Sequence, residues 1–135
     1  LLHDDIIDKS PMRRHSASPF QKYGLGDTLL CGDFLLVRAF SLCARLDRHI
    51  IDATEAACVE LTEGEILETP LGATEHTVES SLTIARKKTA SLFRLAADSG
   101  SHLAGVSAQA NRHMARFGEQ LGMAFQILDD ILDVT

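Results

Sequence analysis

The chain has 135 residues, 45% hydrophobic and 24% charged, with a formal net charge of −6. That length fits one domain able to bury roughly two-thirds of its unfolded surface. The acidic balance offers no basic patch of the kind a nucleic-acid binder needs. No charge-free run reaches the about 18 apolar residues of a membrane span, and no signal-peptide pattern is read.

The first and last residues read as cuts through helices, because Leu1-Leu2 gives no N-cap and Thr135 follows an aspartate by two residues. The expectation is an internal fragment, a single partial domain over residues 1–135 truncated at both ends. Near the start lies Asp4-Asp5-Ile6-Ile7-Asp8. Residues i and i+4 of a helix lie one above the other, so Asp4 and Asp8 share a face. Residues Lys9 to Lys22 carry Pro11, Pro19 and several serines and read as a loop. Within it, Arg13-Arg14 is either a solvated pair or a second grip on a phosphate, since the guanidinium fork suits that group.

Asp27 to Leu46 is apolar on almost every side, which predicts a core helix. Gly32 in its middle points to close approach by a neighbour, and Asp33 reads equally as a supporting acceptor or a solvated residue. Asp47 to Glu68 is the next helix, with the stripe Ile51, Thr54, Cys58, Leu61, Glu65, Glu68. Its two glutamates fit a helix end turning to solvent as well as a site. Pro70 and Gly72 close it. From Glu75 to about Leu103 the stripe is Val78, Leu82, Ala85, Thr89, Leu92, Ala96, with Lys88 at its edge. Gly105 breaks the chain and Ser107 caps the last helix. That helix has the stripe Ala110, Met114, Phe117, Leu121, Ala124, Leu128, Ile131, a spacing suited to bundle packing. No strand alternation is read, so the fold class is all-α. Cys31, Cys43 and Cys58 fit neither a disulfide framework nor a zinc site and read as core thiols of a reducing compartment, the cytoplasm.

The last helix ends in Asp129-Asp130-Ile131-Leu132-Asp133, the opening pattern again, with Gln126 and Gly122 on the line running back from Asp129 and Asp133. Removing these six aspartates from the 19 acidic residues leaves 13, equal to the 13 basic ones. Clustered carboxylates among aliphatics repel one another unless a cation sits between them. A hard oxygen-seeking ion, above all Mg²⁺, suits such a set together with a substrate phosphate. One such motif alone reads best as a solvated acidic face; two copies favour the metal.

Leu2-His3-Asp4-Asp5-Ile6-Ile7-Asp8 with Arg13-Arg14, then Gly32-Asp33, Gly64-Glu65, Lys88-Thr89 and Phe125-Gln126-x-x-Asp129-Asp130-x-x-Asp133, resemble in the same order the signatures of the trans-isoprenyl (polyprenyl) diphosphate synthases. The resemblance implies an all-α bundle of the isoprenoid synthase type, usually a homodimer, that condenses isopentenyl diphosphate with an allylic diphosphate. By resemblance, Asp4, Asp8 and Asp129 would ligate three Mg²⁺ on the allylic diphosphate, with Asp5, Asp130 and Asp133 completing the acidic motifs. Arg13, Lys88 and Thr89 would support the same group, Arg14 would hold isopentenyl diphosphate, and Gln126 would line the site near the reacting carbons. Alone, the fragment would be inactive.

Two departures stand out. His15 follows the arginines where the family usually has Gly, and Ser81 stands seven residues before Lys88 where it commonly has Tyr. The four-spaced first motif leans towards a long-chain or archaeal-type enzyme. Four other classes carry less. A non-catalytic subunit would have lost motif carboxylates. A class I terpene cyclase typically lacks the paired arginines and a second intact motif. A phosphohydrolase built on His3-Asp4 needs histidines at ligand spacing, which His15, His49, His76, His102 and His113 do not provide. An inert helical module is the fourth, since the family's upstream isopentenyl-diphosphate-binding residues and downstream basic residues are missing from this sequence. Product length depends on residues outside this sequence.

Overall fold

The structure is a computed structural model that describes residues 1–69 and 77–132. The expected helix stop at Pro70 and Gly72, the start at Glu75, His76, and the last motif residue Asp133 lie outside them. The described residues form an all-α fold with one small hairpin, divided into two compact units, 1–47 and 48–135. No described helix is long and apolar enough to cross a membrane.

The first unit contains α1 (Leu2–Ile7), strands β1 (Met12–Arg13) and β2 (Ser16–Ala17), and α2 (Pro19–Cys43). The loop expected over 9–22 is therefore partly ordered. Met12 pairs with Ala17 and Arg13 with Ser16, and Arg14 and His15 form the two-residue turn. Both turn residues have positive φ, 48° and 65°, as a tight hairpin turn with the right twist requires. Ser18 caps α2 by accepting the Gln21 N–H at 3.1 Å, and its hydroxyl donates to the Ser10 carbonyl at 2.6 Å. Pro19 follows at the first helical position, where its missing N–H costs nothing. That cap starts the helix eight residues before the expected Asp27. Gly24 then kinks it, with φ 81° and ψ 177°, a conformation essentially reserved for glycine. The Thr28 hydroxyl donates to the Gly24 carbonyl at 2.7 Å, satisfying an acceptor beside the kink.

α2 is not the buried core helix expected from its composition. Leu30, Phe34 and Val37 are each more than 60% exposed in this chain. Within its unit it packs on six-residue α1, too short to cover more than one side. Gly32 meets the expected neighbour: a Cβ there would overlap the His3 ring. His3 Nε2 bonds with the Leu29 carbonyl oxygen at 3.2 Å and lies 3.3 Å from Asp33 Oδ1, while Asp33 itself is largely exposed to solvent.

The second unit holds α3 (Arg48–Glu68), α4 (Val78–Ala85), a π-helical turn (Arg86–Ala90), α5 (Ser91–Leu103) and α6 (Ala108–Leu132). Thr77 caps α4 through a reciprocal box with Ser80. The π turn inserts one residue into what reads as a continuous helix. Before it, only Ala85 of the predicted stripe is buried, while Val78 and Leu82 are exposed. After it the inward positions slip by one: Ala90 is buried where Thr89 was expected, and Phe93 and Ala97 are more covered than Leu92 and Ala96. On α3 the buried residues are Ile50, Thr54, Ala57 and Gly64, which share Thr54 with the predicted stripe.

α6 corrects the reading most. Ser107 does cap it, accepting the Ala110 N–H at 3.2 Å. Its buried residues, however, are Asn111, Gly118 and Gly122, while Phe117, Leu128 and Ile131 of the predicted stripe are over half exposed. A Cβ at Gly118 would lie 2.5 Å from the Phe93 carbonyl oxygen, and one at Gly122 would lie 2.6 Å from Ala90 Cα. The glycines thus let α6 press directly on the α5 and π-turn backbone. The Asn111 side-chain amide locks the far end, donating to the Asp98 carbonyl at 2.8 Å and the Ser101 hydroxyl at 2.7 Å. The three cysteines form no disulfide, and Cys31 is exposed while Cys43 and Cys58 are half-buried, so they are not core thiols.

Candidate functional site

In the first unit, α1 divides its aspartates. Asp5 is completely buried. Arg13 Nε and Nη2 both reach its Oδ1, at 2.7 and 2.6 Å, and its Oδ2 has no hydrogen-bond partner among the described residues. Asp4 and Asp8 lie one turn apart, the Asp8 N–H donating to the Asp4 carbonyl at 2.8 Å, and both carboxylates reach solvent. Arg14 is exposed at the hairpin tip. The adjacent arginines are therefore unlike: one is tied to a buried carboxylate, and the other is presented outward by the turn.

In the second unit the site is built on the π turn. Its widened backbone ring is closed by the Ser91 N–H donating to the Arg86 carbonyl. The buried Ser91 hydroxyl donates to the Lys87 carbonyl at 2.6 Å. The turn sits against α3 because Gly64 has no side chain: a Cβ there would lie 2.7 Å from the Lys88 backbone nitrogen. Gly64 and the residues beside it thereby fix where Lys88 stands.

Lys88 Nζ lies 3.0 Å from Glu65 Oε1 and 2.5 Å from Glu68 Oε2. Burial on its own would lower the ammonium's pKa, but the hydrogen bonds and charges of Glu68 and Glu65 outweigh it and hold it well above the ordinary lysine value. The two glutamates that fitted solvent or site equally well are thus partners of a predicted site residue. Lys87 with Glu63 ties the same two elements, and Arg94 with Glu60 ties α5 to α3. The sequence carried a signal for this, since a run of glutamates at 60, 63, 65 and 68 on one helix is answered by the bases Lys87, Lys88 and Arg94 on the next elements, whereas Arg86 pairs with Glu119 of α6.

The Thr89 hydroxyl donates to Gln126 Oε1 at 2.6 Å, and Gln126 Nε2 donates to Asp130 Oδ1 at 2.8 Å. The polar line of α6 therefore runs Gly122, Gln126, Asp130, by steps of four, and Gln126 pairs with Asp130 and not with Asp129. Both aspartates are exposed. Glu68, Ser81, Lys88, Thr89, Gln126 and Asp130 line a cavity of about 210 Å³. A larger cavity of about 500 Å³ in the first unit is apolar and contains none of the predicted site residues.

A metal would find oxygen donors at Asp4 and Asp8, and at Asp129 and Asp130. That donor chemistry fits Mg²⁺, which binds through one or two carboxylates with water and substrate phosphate making up the rest. Among the described residues no three His, Cys, Asp or Glu side chains gather at metal-binding separation.

A family model described as polyprenyl synthetase matches residues 1–135. The chain is 33% identical over 133 residues to the geranylfarnesyl diphosphate synthase of Methanosarcina mazei, covering 98% of this chain and 45% of that one. It is 35% identical over 135 residues to the octaprenyl diphosphate synthase of Escherichia coli, covering 98% of this chain and 42% of that one. The crystal structure of polyprenyl synthase from Caulobacter crescentus, complexed with calcium and isoprenyl diphosphate, superposes with a TM-score of 0.92 at 34% identity, covering 98% of this chain and 41% of that one. The chain thus spans less than half the length of the curated relatives it matches.

Proposed function

Since the chain belongs to the polyprenyl synthetase family, we propose that its protein is a prenyltransferase that joins isopentenyl diphosphate to an allylic diphosphate. The observation that carries this is the Lys88–Thr89 pair, set on a π turn and linked through Gln126 to Asp130 around one small polar cavity. π turns inside helices occur frequently at functional sites.

In the proposed reaction the allylic carbon–oxygen bond breaks, and its electron pair leaves with the diphosphate. The isopentenyl alkene then closes on the allylic carbon, and the departing diphosphate takes the proton that is released. Lys88 stabilises the charge growing on the leaving group. Gln126, held by Asp130, orients the Thr89 hydroxyl beside it. Arg14, free of ion pairs among the described residues, holds the second diphosphate. Asp4, Asp8, Asp129 and Asp130 would hold Mg²⁺, which supplies further positive charge to the departing diphosphate. Ile84 and Ala85 form the apolar part of the cavity wall, and an apolar wall keeps water from the allylic cation. We read the protein as a homodimer of the cytoplasm, and the three free cysteines suit that compartment. Relatives of similar identity carry geranylfarnesyl and octaprenyl names, so overall similarity leaves the product length open.

The experiment is turnover in the full-length protein with Mg²⁺. Asp4→Ala and Asp129→Ala are each expected to lower diphosphate release by about 10²-fold or more, and Arg14→Ala to raise the KM for isopentenyl diphosphate. Near-normal turnover in either aspartate variant would overturn the role of that carboxylate, and an unchanged KM would overturn that of Arg14.

A further inference from the structure

Resting on the reading that Lys88 meets a diphosphate, we propose that Glu68 is an exchangeable placeholder on Lys88, a carboxylate that must release the ammonium before an anionic substrate can take it. Two carboxylates share one cation here, Glu65 at 3.0 Å and Glu68 at 2.5 Å. They differ in setting. The Glu65 side chain is 15% exposed, whereas that of Glu68 is 52% exposed in the last turn of α3. Glu68 lines the 210 Å³ cavity with Lys88, Thr89 and Asp130, and Glu65 does not. Glu68 therefore occupies the side of the ammonium that an incoming anion would approach.

The charge count gives the reason for exchange. Lys88 with both glutamates is a net negative group, and Asp130 adds another negative charge to the same cavity wall. A diphosphate entering that arrangement meets repulsion from like charges. With Glu68 swung into solvent, the ammonium and Glu65 are neutral together, and the ammonium can donate to a phosphate oxygen. The Glu68 side chain is half exposed, so water can solvate its carboxylate once it leaves the ammonium. Glu65 stays behind and keeps Lys88 in place. Glu68 is thus a positioning residue that sets how readily the site accepts an anion.

The test is a calorimetric titration of the full-length protein with inorganic pyrophosphate and Mg²⁺, on wild type, Glu68→Gln, Glu65→Gln, Lys88→Met and the Glu68→Gln/Lys88→Met double variant. Glu68→Gln is expected to bind pyrophosphate about three- to tenfold more tightly. The gain should vanish in the Lys88→Met background, and Glu65→Gln should not reproduce it. In turnover, Glu68→Gln should lower the KM for the allylic diphosphate without a matching fall in kcat. If Glu68→Gln binds no tighter while Lys88→Met binds more weakly, the placeholder role is wrong and the diphosphate reading survives. If Lys88→Met binds as wild type does, that reading fails and takes the proposal with it. A gain that persists without Lys88, or that Glu65→Gln matches, also overturns the placeholder role, because it then reflects charge removal alone.

Discussion

Gly64 of α3 lies directly beneath Lys88: a Cβ on it would stand 2.7 Å from the Lys88 backbone nitrogen and 3.0 Å from Lys87 Cβ. The nearest atom is backbone and cannot swing aside, so a methyl group must push the π turn off α3. Gly64→Ala is expected to cost about 1–3 kcal/mol of stability and to displace Lys88 from Glu65 and Glu68. Urea unfolding and turnover should both fall. Full activity with unchanged stability would mean that the turn tolerates displacement and that Lys88 is not held by this contact.

Asp5 behaves differently from its neighbours Asp4 and Asp8. Its buried carboxylate is matched to Arg13, so removing the charge strands a guanidinium against the interior. Asp5→Ala is expected to destabilise the protein by about 3 kcal/mol, seen as an earlier unfolding midpoint with or without Mg²⁺. A variant that unfolds like wild type and loses only Mg²⁺-dependent turnover would make Asp5 a ligand and not a structural partner of Arg13.

His15 pays for its place in the hairpin turn with a φ of 65°. A side chain in the left-handed region is strained by about 1–2 kcal/mol, and glycine is not. His15→Gly should therefore raise stability by about 1 kcal/mol, partly offset by the greater freedom of glycine in the unfolded chain. Chemical denaturation decides it, and a loss of stability would show that the His15 side chain holds the turn through contacts that outweigh its strain.

Lys88 ties stability to high pH. Its pKa is raised on folding, since the bonds to Glu68 and Glu65 outweigh the opposing effect of burial. A raised value means that folding favours the protonated form. The contribution is therefore complete below the ordinary lysine value of 10.5 and is lost as pH climbs beyond it. The difference in unfolding free energy between wild type and Lys88→Met should be level from about pH 7 to 9 and shrink only in stronger alkali. A difference that already declines through neutral pH would point to a different group.

The chain's residues alone determined the all-α class and most of its helices, because helical periodicity and side-chain chemistry are local properties. They also determined the cap at Ser107, whose hydroxyl sits where a helix start needs an acceptor. Tertiary structure decided which faces turn inward. After Arg86 the covered positions lie one residue beyond the expected ones, where the π turn packs on α3 at Gly64, a contact between residues 24 apart. Gly118 and Gly122 turned the small face of α6 inward because close backbone packing against α5 won over burial of the larger Phe117 and Leu128. The partners of Lys88, and the division between Asp5 and its two neighbours, likewise depend on which side chains the fold brings within hydrogen-bonding reach. Spacing along one helix carries no information about the element that will lie opposite it.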